Sequence, residues 1–260
     1  MKRLLIVAII VVGLGAVWFN RGWLKDQWGE RTKAPTPVAV NRSEIQANAN
    51  VAVNTNAANV NMADPAPEPE TLPAEFNLKV PFTSQAPLVN WDKAHDEACE
   101  EAAALMVEAY WRDQAFPDKA ATDAKLMEIE AWETQRIGYY ESTTVEETVI
   151  ILKEYFKLTD VDIISNPTVE QLKRFIFEGK PVLMPAAGRM LGNPNFRSPG
   201  PVFHYLVLKG YTSDTFITND PGTRKGADYV YSIDTIMNSM HDWNGGDVAN
   251  GRKAVIVVNG

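Results

Sequence analysis

The chain has 260 residues, 45% of them hydrophobic and 22% charged, and a formal net charge of -8. That balance supports one or two globular domains and argues against a nucleic-acid partner drawn by bulk electrostatics. A single cysteine excludes a disulfide framework and any cysteine-cluster metal centre. The three histidines lie in separate segments without metal-ligand spacing, so neither metal nor cofactor is expected.

Lys2 and Arg3 precede an uncharged apolar run from Leu4 to Phe19. It is shorter than the roughly 20 residues of a typical span, but Trp18, Phe19 and Trp23 supply interfacial anchors. The nearest small-x-small motif, Gly13-Leu14-Gly15, fits a cleavage site poorly. Residues 1–31 are therefore expected to be an uncleaved, single-pass transmembrane anchor that leaves the rest of the chain outside the cytoplasm. A cleaved signal peptide, giving a secreted domain, is the competing reading. Residues 32–75 are rich in alanine, asparagine and proline, with no aromatic side chain between Trp28 and Phe76. Such a segment buries too little apolar surface to offset its ordering entropy. It is expected to be a disordered linker of about 35 Å reach, which leaves 76–260 as the folded domain.

Within that domain the first elements read as helices. Cys99–Arg112 is apolar on most faces, like a buried central helix, and 118–136 reads as a surface helix. Thr144-x-x-Glu147 and Thr168-x-x-Gln171 are capping boxes, the first opening "VEETVIILKEYF" and the second a helix that Gly179 ends. Five strands follow, at 181–186, 205–211, 215–219, 228–232 and 253–258. Helices first and strands afterwards predict an α+β fold with an antiparallel sheet. No phosphate-binding GxxxxGK[ST] loop occurs, which excludes a fused ATPase.

Cys99 holds the chemical interest. A lone helical cysteine most often packs as a small hydrophobe, but at a helix N-terminus the unpaired N–H groups and the dipole favour a thiolate. Glu97, Glu100 and Glu101 oppose this, so a cationic partner is required. His95 reads as a surface or loop residue, and His241 ends a helix where a cation is simply favourable. His204 follows the Gly/Pro-rich segment Ala187–Pro201 and opens a strand. Pairing 205–211 with 215–219 about a turn at Thr212-Ser213-Asp214 makes paired numbers sum to roughly 426. His204 then lies opposite Gly222, with Asp220 a diagonal neighbour about 7–8 Å away. A carboxylate there can orient an imidazole.

Cysteine at a helix start, histidine at a strand start and aspartate one hairpin later form a known order. Together with "VPFTSQAP" (80–87), "EACEEAAALMVEAYW" (97–111), "GKPVLMP" (179–185) and "HYLVLKGYTSDTFITNDPG" (204–222), they make the chain resemble the bacteriocin-processing, double-glycine-type cysteine peptidases and their stand-alone relatives. The resemblance implies a papain-like fold, with a nucleophile helix packed on an antiparallel sheet. It implies Cys99 as nucleophile, His204 as general base and then acid, Asp220 as the residue orienting His204, and Gln85 as an oxyanion donor beside the Cys99 N–H. The sequence departs from the pattern in two places. The Gln-to-Cys separation is 14 residues, and Ala98 stands where the family has glycine. Asn219 competes with Asp220 as third member. Trp91 and Phe196 are candidate substrate-binding walls, and the 187–201 segment, with Met190 and Leu191, a candidate flap.

The expected function is thus a membrane-tethered extracytoplasmic cysteine peptidase acting on peptides or proteins. The alternatives are a non-catalytic peptide-binding module on the same scaffold, and a transglutaminase-like acyl transferase or cell-wall amide hydrolase. With no ATPase or membrane domain, processing coupled to export is not expected.

Overall fold

The computed structural model describes residues 35–47 and 71–260. The expected anchor over 1–31, and linker residues 32–34 and 48–70, lie outside them. Among the described residues no helix is long and apolar enough to cross a membrane.

Thr36–Gly260 forms one compact unit. Strand β1 (Phe76–Asn77) leads to a short helix α1 (Lys93–Glu97), then α2 (Cys99–Trp111), α3 (Lys119–Arg136) and α4 (Val145–Ile150). The last runs into a π-helical turn, Ile151–Tyr155, where one continuous α-helix was expected. Strand β2 (Val161–Ser165) and helix α5 (Val169–Phe177) follow, then β3 (Val182–Ala187), β4 (Phe203–Tyr211), β5 (Thr215–Asn219), β6 (Tyr229–Ser232), α6 (Ile233–Ser239) and β7 (Ala254–Val258). Thr144 and Thr168 both close capping boxes, and Gly179 takes the positive φ of +82° expected past a helix end.

The strands form one antiparallel sheet in the order β2-β7-β3-β4-β5-β6, with β1 pairing on β4. Strands β1 and β2 were not anticipated. The second, "VDIIS", is short and only Val161 in it is buried, so it carries a weak signal. The core lies between the sheet and α2, which packs on β4 and carries Ala102, Ala103 and Ala104, all fully buried. Small side chains let the helix axis approach the strand, and that approach positions the site.

Strand β4 meets β5 with Val207 opposite Asn219 and Leu208 opposite Thr218, each pair summing to 426. A bulge at Lys209 then shifts the register by one toward the turn, and the freed Lys209 carbonyl accepts the Leu78 N–H at 2.7 Å. The Lys209 ammonium is buried, donating to Asn77 Oδ1 at 2.7 Å and Asp228 Oδ1 at 2.5 Å. Burial lowers its pKa, and the Asp228 charge works in the opposite direction.

Gly210 admits β1 at this bulge, because a Cβ there would stand 2.8 Å from both Phe76 O and Asn77 Oδ1 and 2.9 Å from Ile217 Cδ1. Gly210→Ala is expected to destabilise the domain by about 1–3 kcal/mol. Equal thermal midpoints for the variant and wild type would contradict this reading.

Residues 36–47 correct part of the linker expectation, since they pack on the folded domain. Val40 pairs with the chain beside β1, donating to Asn77 O and accepting from Lys79 N, both at 2.9 Å. The Arg42 guanidinium lies 5.0 Å from the centroid of the Trp111 ring and donates to Trp111 O at 2.8 Å. Ile45 packs on the core beside Gly179. Two apolar side chains, one cation–π contact and a few backbone bonds offset the entropy of ordering this stretch. Composition averaged over 32–75 hides such a local pattern.

Candidate active site

Only Ala98 separates α1 from α2, and it gives the nucleophile helix no side-chain cap. The first-turn N–H groups are therefore not claimed by a capping oxygen from Ala98. Cys99 opens α2 and is 4% exposed. The backbone of Tyr205, the residue after His204 on β4, acts weakly to lower the thiol pKa.

His204 and Asp220 meet as the hairpin register predicts. Histidine Nε2 and Asp220 Oδ1 are 2.8 Å apart, and both residues are essentially buried. The carboxylate takes three further bonds, from Gly222 N–H to Oδ1 at 3.0 Å, from Asn193 Nδ2 to Oδ2 at 3.0 Å and from Tyr231 O–H to Oδ2 at 2.6 Å. Burial alone would raise the Asp220 pKa. The His204 charge and these hydrogen bonds outweigh burial and lower it. Asn219 turns away, its amide donating to Val80 O and Pro81 O at 3.1 Å each, so Asp220 is the residue that touches His204. With Nε2 committed to Asp220, Nδ1 is the ring nitrogen left for proton transfer.

Cys99, His204 and Gln85 open on one cleft of about 880 Å³. Trp91 and Phe196 line it, joined by Trp243, Phe203 and Val202. Phe196 stands edge-on to the His204 ring, with centroids 5.2 Å apart. The expected flap is only partly such a structure, because Leu191 is buried in the core and Asn193 is pinned to Asp220. It is the following stretch, 195–202, that walls the cleft. Arg197 in that wall pairs with Asp96 at the end of α1, on the Cys99 side.

Gln85 departs from its expected role. Its Nε2 donates to His95 O at 2.8 Å and Asp96 O at 3.0 Å, leaving Oε1 buried without a partner. The cause is the long segment before Cys99, which folds back into α1. The carbonyls near the end of that short helix have no intrahelical partners and take the amide. In this arrangement Gln85 caps α1 and presents no free donor to an oxyanion.

His95 also differs from expectation, being buried at 3% exposure within α1. Its Nδ1 lies 2.7 Å from Asp92 Oδ1 and its Nε2 3.0 Å from Asp123 Oδ1. Burial by itself would lower its pKa, but the two carboxylates outweigh that and raise it. With a carboxylate at each nitrogen, the ring is a structural crosslink and has no free edge for Cys99. Among the described residues no group of three or more His, Cys, Asp or Glu side chains could hold a metal ion.

The three glutamates around Cys99 do not act alike. Glu101 points toward Glu133 on α3, and Glu97 lines the cleft. Glu100 faces the nucleophile, with Oε2 2.9 Å from Cys99 Sγ and Oε1 accepting the Thr143 N–H at 3.0 Å. Burial, then the Glu100 charge, pushes the thiol pKa well up. The thiol's hydrogen bond goes to Glu100, and none joins Cys99 to His204 among the described residues.

Asn193, Tyr231 and Gly222 carry no signal in the sequence alone, since only the folded chain brings them to Asp220. Gly222 sits so close to the histidine that a Cβ would lie 2.8 Å from Phe196 Cε1 and 2.9 Å from His204 Cε1. Gly222→Ala is expected to displace the ring and cut peptidase activity by roughly tenfold or more, at modest loss of stability. Full activity in that variant would show that the ring position is not critical.

A family model, described as the Peptidase_C39 like family, matches residues 77–245. A solved structure from Bacillus anthracis, titled as a C39-like peptidase, aligns with 15% identity and a TM-score of 0.45, covering 70% of this chain and 96% of that one. No curated protein matches the chain. The α+β papain-like fold expected from the sequence stands, and, matched over well more than half its length, the chain belongs to the C39-like peptidase family.

Proposed function

We propose that this domain is a cysteine peptidase that cleaves peptide bonds through Cys99, His204 and Asp220, tethered outside the cytoplasm by residues 1–31. His204 Nδ1 takes the thiol proton, and the Cys99 thiolate attacks the scissile carbonyl to form a thioester. The imidazolium returns its proton to the leaving amine, and water activated by His204 hydrolyses the thioester. The observation that carries this reading is the buried 2.8 Å contact between His204 and Asp220, opening on the same cleft as Cys99. The Cys99 N–H is the oxyanion donor that the helix start offers. Gln85 contributes a second only by releasing one of its bonds to α1. A peptide library incubated with the full-length chain is expected to yield products with wild type and none with Cys99→Ser. Products that persist in Cys99→Ser would sink the assignment.

One observation favours a second reading, a non-catalytic peptide-binding module. The thiol is pushed up in pKa and bonded to a carboxyl group, the reverse of an activated nucleophile. That module would bind library peptides in the same cleft and leave them intact.

A further inference from the structure

Glu100 is unused by the proposed peptide chemistry, yet it touches the reacting sulfur. It is 1% exposed, lines the cleft and is fixed at both oxygens, by Cys99 Sγ at 2.9 Å and the Thr143 N–H at 3.0 Å. Resting on the peptidase reading, we propose that Glu100 is a catalytic residue that gates the Cys99–His204 pair. As a carboxylate it accepts the thiol proton and holds it away from His204. As a neutral acid it donates to Sγ and leaves the thiol proton free for His204.

The proton count closes in both states. With Glu100 ionised, S–H points at Oε2, His204 is neutral and no thiolate forms, because thiolate and carboxylate would stand as like charges at contact. With Glu100 protonated, its O–H donates to sulfur. The thiol proton passes to His204 Nδ1, and the products are thiolate and imidazolium, with Glu100 still neutral. A carboxyl group that would oppose the nucleophile thereby supports it, once it holds its own proton.

The surroundings keep that proton in place. Burial, followed by the Glu101 charge, raises the Glu100 pKa well above the ordinary carboxylate range, while its bonds to Cys99 and to backbone N–H groups act the other way. The ionisable groups that face it are Cys99 and Glu101 on its own helix, Glu133 on α3, and Tyr205 beside His204 on β4. Among the described residues none of these carboxyl groups has a basic partner, so burial favours the neutral form, which is lost as pH rises through the raised value.

Cys99 is the only cysteine, so alkylation by iodoacetamide reads its thiolate without any substrate. In the full-length wild-type chain the alkylation rate is expected to rise with pH and then fall on the alkaline side as Glu100 ionises. Glu100→Gln keeps the shape, a donor to Sγ and an acceptor for Thr143, but cannot ionise. Its rate is expected to lack the alkaline fall and to exceed wild type by roughly tenfold there, the scale a contacting like charge exerts on thiol ionisation. A wild-type rate that climbs without a fall overturns the gate, and that measurement needs no variant to fold. Profiles of Glu100→Gln and wild type within twofold of each other also overturn it. A His204→Ala chain whose alkylation matches wild type would instead strike the peptidase reading itself, so the two failures are distinguishable.

Discussion

Asp220→Asn is expected to lower kcat by about three to four orders of magnitude while leaving KM within a few-fold, because tautomer and orientation are lost but the cleft is not. Asp220 accepts from Nε2 of His204, which leaves Nδ1 as the base. An asparagine at that position can present an N–H to Nε2, placing the ring proton on Nδ1 and removing the lone pair that must receive the thiol proton. The neighbours of Asp220 rank below it. Tyr231→Phe and Asn193→Ala each remove one of two donors to Oδ2, so each is expected to reduce kcat by roughly tenfold, the size of one hydrogen bond. Steady-state kinetics on a peptide found in the library screen reads all three. An Asp220→Asn chain within tenfold of wild type would remove Asp220 from the mechanism.

A pH-dependent stability effect is expected at the acidic pair behind the nucleophile. Glu101 and Glu133 are both fully buried, and each interacts chiefly with the other. Burial pushes the Glu133 pKa up to about 8, and raises that of Glu101 well above the ordinary carboxylate range. Nearby Glu130 is raised to about 7, again first by burial. A carboxyl whose folded value exceeds its unfolded one binds its proton more tightly in the fold. The stability it contributes is therefore complete below the unfolded value and is lost as pH rises through about 8. Glu133→Gln keeps the shape and cannot ionise. At pH 9 it is expected to be more stable than wild type by about 1–3 kcal/mol, and near pH 5 the difference is expected to vanish. Thermal melts at the two values read this directly, at about 2–4 °C per kcal/mol for a domain of this size. A Glu133→Gln chain less stable than wild type at both pH values would show that the carboxyl is needed ionised.

Much of the site was legible because its signals are local or follow from one hairpin. The capping residues Thr144 and Thr168 lie three positions from their partners, and both boxes form. The pairing sum of 426 came from turn placement alone, and it holds at Val207–Asn219 and Leu208–Thr218, the pairs nearest the site. The bulge at Lys209 shifts only the far end, which is why His204 and Asp220 still meet.

What stayed hidden depends on distant chain segments. No pattern in "NPNF" tells that Asn193 will reach Asp220, or that Tyr231, on a strand beyond the hairpin, will share the same carboxylate. The sequence shows three glutamates near Cys99, but the facing of each depends on what α3 and the 142–144 turn present. Gln85 differs for a related reason: the 14-residue separation from Cys99 supplies a helix whose carbonyls take the amide first. The burial of His95 depends likewise on Asp123, 28 residues later.

The central claim is that Cys99 is a nucleophile ionised by His204. The most direct test is the alkylation rate of Cys99 near neutral pH in the full-length wild-type chain and in His204→Ala. Removing the imidazole is expected to slow alkylation near neutral pH by at least roughly tenfold. Equal rates in the two chains across the neutral range would contradict it.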